Sequence, residues 1–131
     1  MYRKSKNTMK QNKLYFDEFH IAGRQYHDAD EVWQDLNIGM ILHLERDFDN
    51  RFDKNAVAII YRREIPDSAD NRGPAYEDFL LGYVPRNANE PFAALLEMGW
   101  DDIFECRLSK KDEAADYENQ LRVTVRIKRK R

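Results

Sequence analysis

The chain has 131 residues, 42% of them hydrophobic and 35% charged, with a net charge of −2. That length suits one domain that can bury a core without staples, and no apolar run approaches the roughly 20 residues of a membrane span. The lone Cys106 excludes an intrachain disulfide and a multi-thiolate zinc site, which fits a reducing, cytoplasmic setting.

Residues 1–13 carry five basic residues and no acid, with no apolar stretch behind them, so they read as a disordered basic arm and not a secretory signal. The domain itself is expected over 14–128. YFDEFHIAG (15–23) alternates and ends on glycine, as a strand does. DADEVWQDL (28–36) starts on acidic capping residues and predicts a short helix. GMILHLER (39–46) predicts a strand with Met40, Leu42 and Leu44 on one face. NAVAIIYR (55–62) predicts a second strand, β-branched and apolar on both faces. Residues 63–76 hold two prolines and a glycine and read as a flexible loop. FLLGYVP (79–85) predicts a strand that Pro85 ends. The stretch 87–99 predicts a helix, with Pro91 in its first turn, Phe92, Leu95 and Leu96 inward, and Gly99 at its stop. DIFECRLSKK (102–111) alternates as a strand, DEAADYEN reads as a loop, and LRVTVRIK (121–128) alternates strictly. Residues 129–131 form a basic tail. Six short strands with one or two helices predict a mainly β fold, a small antiparallel barrel.

Charge is unevenly placed. Residues 14–120 hold 11 basic residues against all 24 acids, a net of −13, whereas both ends are basic. Basic ends on an acidic body suit contact with a polyanion, and they suit equally a pair of solubilising tails. Any nucleic-acid site on the body needs a local basic patch, for which Arg24, Arg51, Lys54 and Arg86 are the candidates.

The connection RDFDNRFDKN (46–55) gathers side-chain oxygens between two predicted strands. An EF-hand reading fails: counted from Asp47, position 5 is Arg51, position 6 is Phe52 and position 12 is Ala58. A magnesium site on Asp47, Asp49 and Asp53 for phosphodiester cleavage has no lysine or histidine partner at a known spacing. His20, His27 and His43 lack ligand spacing, and Cys106 reads as a small core residue. Asp and Asn bonding their own backbone account for most of the loop, but not for Phe52 in its middle.

Four blocks together resemble the HIRAN domain: IAGRQYH, then GMILHLERDFDNRFDKNAVAII, then LLGYVPRNA, and the helix FAALLEMGW. The resemblance spans residues 16–127 and rests on a G-x-x-Y strand end, a G-x-x-L-x-L-x-R strand, an N-x-[YF]-D-x-N-A-[VI] loop and an L-G-[YH]-[VL] strand. It implies an OB-like antiparallel barrel of six strands, found in fork-remodelling helicases and as short bacterial proteins. It implies binding of single-stranded DNA with capture of a free 3′-OH end, in DNA repair or fork processing. On that pattern Tyr26 stacks on a terminal base, Phe52 stands where tyrosine is usual, Asp53 accepts the 3′-hydroxyl, and Asn50 assists. Tyr83 stands where some members place a phosphate-contacting histidine, and Gln25, beside Arg24, where DNA-binding members carry arginine. No catalytic residue, cofactor or metal is expected, since the helicase, ATPase and RING parts of larger relatives are absent. The partners implied are single-stranded DNA or another nucleic acid, and a separately encoded helicase or nuclease, with no membrane. Two other readings stay open: a protein-interaction or regulatory barrel, and a metal-dependent nuclease.

Overall fold

The computed structural model describes residues 13–66 and 73–128, so residues 1–12 of the expected arm and the tail at 129–131 lie outside the described residues. Six strands are present: β1 (Lys13–His20), β2 (Ile41–Arg46), β3 (Val57–Ile65), β4 (Ala75–Tyr83), β5 (Phe104–Lys111) and β6 (Leu121–Lys128). They form one sheet in the order β1-β6-β5-β2-β3-β4, and every neighbouring pair is antiparallel. Helix α1 (Glu90–Glu97), the one-turn α2 (Tyr117–Gln120) and 3-10 turns at Arg24–Tyr26 and Trp33–Asp35 complete the described elements. The mainly β, antiparallel expectation is therefore correct.

The expected barrel is not: the sheet is not closed. Its edge strands meet only where Ala22, just past β1, bridges Tyr83 at the end of β4. Two backbone bonds of 2.8 and 2.9 Å join those residues, and then Gly23 at φ 71° turns the chain away before a ladder can grow. Gly82 makes the approach possible, because a Cβ there would stand 2.5 Å from the Ala22 carbonyl oxygen. The sheet also parts between β2 and β5: their ladder of Ile41↔Arg107 and Leu42↔Cys106 continues back through the bonds of Leu108 to Gly39 and Met40 but does not run on toward Arg46.

The core follows the alternation in the sequence. Leu121, Val123 and Val125 of β6 face inward with Phe104, Cys106 and Leu108 of β5 and Leu42 and Leu44 of β2. Val57, Ala58, Ile59 and Ile60 of β3 are all buried, as expected for a strand apolar on both faces. Helix α1 buries Phe92 and Ala93, with Leu95 and Leu96 half-buried against the core. Phe92 meets Phe16, Phe19 and Phe104 with ring centroids 4.9–5.7 Å apart.

Three local expectations change. The stretch 28–36 forms turns and a 3-10 turn at Trp33–Asp35, not a helix. Asp28 is drawn instead to β4: its N–H donates to the Leu80 carbonyl, and its carboxylate accepts from the Leu80 N–H. The expected loop over 63–76 is partly strand, since β3 runs to Ile65 and β4 begins at Ala75. Arg62 faces Asp78 and Arg63 faces Glu77 across that arm, and their ion pairs hold a hairpin whose residues are too polar to read as strand. Within 112–119, Tyr117 begins the short helix α2.

Candidate functional site

The turn between β2 and β3 is built from its own oxygens. Asn50 Oδ1 accepts from the Phe52 and Asp53 N–H groups at 2.9 and 3.0 Å. Asp47 Oδ1 accepts from Asp49 N–H, and Asp53 Oδ1 accepts from Asn55 N–H. Asx bonds of this kind fix the backbone of a tight reversal. Arg46 clamps the turn from below. It donates to the Ala56 and Lys54 carbonyls at 2.7 and 2.8 Å and pairs with Glu97 of α1.

The remaining carboxylate oxygens reach outward. Tyr83 O–H donates to Asp47 Oδ2 at 2.7 Å. Burial, then the bond to Asp47, pushes the Tyr83 phenol above its ordinary value, so it stays a protonated donor. Asp53 Oδ2 accepts from Asn89 Nδ2 at 2.7 Å, with Arg86 Nε 3.7 Å away. Arg86 Nη2 also donates to the Phe52 carbonyl at 2.6 Å. Asn50, Phe52, Asp53, Tyr83 and Arg86 are thus one connected group. The Phe52 ring has no place in the core and is 85% exposed. Phe48, 71% exposed, lies under the Arg46 guanidinium at 4.6 Å and presents a second ring on the same turn.

Tyr26 joins this group through Tyr83. It ends a 3-10 turn at Arg24–Tyr26, directly after the Ala22 bridge to Tyr83, and its side chain is 77% exposed. His27 beside it packs edge-on against the Tyr83 ring at 5.5 Å. Gln25, Lys54 and Arg51 are exposed nearby in the chain.

Arg24 goes elsewhere. It is 3% exposed, pairs with Asp30 at 2.8 Å, and lies against Trp33 and Tyr117 at 4.9 and 5.0 Å. It anchors the turn that carries Tyr26 and offers no charge at the surface. Arg46, Phe48 and Asn89 belong to the site and were not singled out as binding residues in the sequence, and Asp47 was weighed there only as a metal ligand. Only Phe48 had a signal, an aromatic in a polar turn like Phe52.

The site is a surface and not a cavity. A groove of about 570 Å³ does open where β2 and β5 part; Arg46 and Phe48 line it with Leu44, Arg62 and Phe104, and it holds none of the predicted residues. His43 lines it, and burial followed by the Arg62 charge lowers its imidazole below the ordinary value. Burial pushes the Cys106 thiol up to about 12, which leaves it unreactive. Among the described residues no group of three or more His, Cys, Asp or Glu side chains is placed to hold a metal ion, and Asp47, Asp49 and Asp53 do not converge on one. No helix among the described residues is long and apolar enough to cross a membrane.

The family model of the HIRAN domain matches residues 15–128. The fold is similar to a crystal structure of a protein from Lactobacillus plantarum, with 21% identity and a TM-score of 0.64, covering 88% of this chain and 94% of that one. A search of curated proteins gave no significant match.

Proposed function

The chain belongs to the HIRAN domain family, which is generally linked to DNA binding, and on that premise we propose that it binds single-stranded DNA and takes a free 3′-OH end at the Phe52–Asp53 turn. The observation that carries this reading is an apolar ring held 85% exposed on a turn that hydrogen bonds hold rigid. A protein gains nothing in its own stability from such a ring, whereas a base stacked on it gains about 1–3 kcal/mol whatever its sequence. Tyr26 offers a second ring on the neighbouring turn.

Asp53 supplies the end recognition. A carboxylate has about four acceptor positions. Asn55 N–H and Asn89 Nδ2 occupy two, so a hydroxyl can still donate to it. A 3′-phosphate brings negative charge and no donor, and a continuing strand brings the same. Backbone phosphates would run over Arg51, Lys54 and Arg86, because the acidic body as a whole repels them. A role in DNA repair or fork processing, with a helicase or nuclease as partner, follows from reading strand ends.

Fluorescence anisotropy with oligonucleotides ending in 3′-OH, ending in 3′-phosphate, or circularised tests the reading at two salt concentrations. It expects the 3′-OH strand to bind most tightly. No binding of any of the three at low salt overturns it and leaves the protein-interaction reading in its place.

A further inference from the structure

We infer that Asn89 is a positioning residue that fixes the Asp53 carboxylate for strand-end recognition; the inference rests on the reading of Asp53 given above. Asn89 occupies the N-cap of α1. An asparagine there ordinarily turns its side chain to the N–H of the second or third helical residue. Asn89 makes no such bond. The second helical residue is Pro91, which has no N–H to satisfy, and the Asn89 backbone carbonyl already accepts from Ala93 at 2.9 Å.

The side chain caps neither Pro91 nor Phe92, and it goes to Asp53 instead. Its Nδ2 lies 2.7 Å from Asp53 Oδ2, and the residue is 2% exposed, so the amide has no water to turn to. A carboxylate accepts and does not donate, which settles that the amide nitrogen faces it. Asp53 is then held at both oxygens by different parts of the fold. Asn55 N–H comes from the turn itself, whereas Asn89 comes from a helix whose Phe92 is fully buried. The second bond refers the carboxylate to the hydrophobic core.

Two variants test this on the full chain, with 3′-OH, 3′-phosphate and circular oligonucleotides as probes. Asn89→Ala removes the donor but no helix cap. It is expected to lower the ratio of 3′-OH to 3′-phosphate affinity about tenfold, the weight of a hydrogen bond to a charged group, and to weaken circular DNA binding by less than it weakens 3′-OH binding. The exchange Asp53→Asn with Asn89→Asp keeps net charge, volume and an amide–carboxylate bond, so it guards against simple unfolding. It is expected to leave the ratio low, because the carboxylate now sits at the buried position. A wild-type ratio in Asn89→Ala, or its restoration in the exchange, overturns the role of Asn89. A wild-type protein that does not distinguish the ends overturns the reading of Asp53 itself, and with it this role.

Discussion

Phe52→Ala separates a ring kept for binding from a ring kept for folding. A fully buried phenylalanine hides about 200 Å². At 85% exposure Phe52 hides about 30 Å², worth at most about 0.8 kcal/mol at 25 cal/mol per Å². The polar frame does not depend on the ring, since Arg86 and Asn50 bond the Phe52 main chain. The melting temperature should therefore fall by no more than about 3 °C. Binding to a short single strand should weaken by about 1–3 kcal/mol, which is roughly 5- to 150-fold in Kd. Anisotropy titration and thermal unfolding on the same preparation give both numbers. An unchanged Kd would remove the ring from the binding surface. A melting temperature lower by ten degrees or so would show that it packs against the fold.

Gly82→Ala should destabilise the domain by about 2–4 kcal/mol, measured by denaturant unfolding, because its methyl meets the Ala22 carbonyl oxygen at 2.5 Å, a backbone atom that cannot step aside. Cys106 should resist thiol reagents at pH 8 in the folded protein and react once it is unfolded, because its thiol is buried and pushed up to about 12. The hydrogen bond from Arg62 lowers the Asp78 carboxyl below its ordinary value. A carboxyl lowered by folding stabilises the fold above its unfolded value, so that contribution should be complete above about pH 4 and lost as the pH falls further. Asp78→Asn should flatten this dependence in acid unfolding curves, and because the pair is largely exposed, added salt should shrink the difference.

Strands whose faces differ were readable in advance. Leu121, Val123 and Val125 against Arg122, Thr124 and Arg126 leave β6 one arrangement that buries the apolar set, and the strand begins and ends where expected. The turn chemistry of Asn50 and Asp53 was readable as well, because Asx bonds reach only two or three residues. Features made by distant residues were not. The arm of β3 and β4 is held by Arg62 and Arg63 pairing across the hairpin, and either strand alone is merely polar. Ala29, Val32 and Leu36 recur at helical spacing and are buried, yet Asp28 is tied to Leu80 and the segment takes turns in place of a helix. Open or closed edges depend on how far the chain runs beside its neighbour, and Gly23 decided that after one residue. Asn89 carried no signal in the sequence, because only the folded chain brings Asp53 to it.

The parting of β2 from β5 has a mechanical meaning. It leaves two three-stranded panels, β1-β6-β5 and β2-β3-β4, joined by a short seam of Ile41↔Arg107, Leu42↔Cys106 and the bonds of Leu108 to Gly39 and Met40. The turn bearing Phe52 belongs to the second panel. The segment bearing Tyr26 is tied to that panel by the Ala22–Tyr83 and Asp28–Leu80 bonds, and to the first panel by the Ile21–Leu121 bond and by Arg24 lying against Tyr117, so it straddles the seam. The spacing of the two rings is therefore set by both panels. A substitution that loosens the seam should therefore be felt at both rings, because the segment that carries Tyr26 spans it.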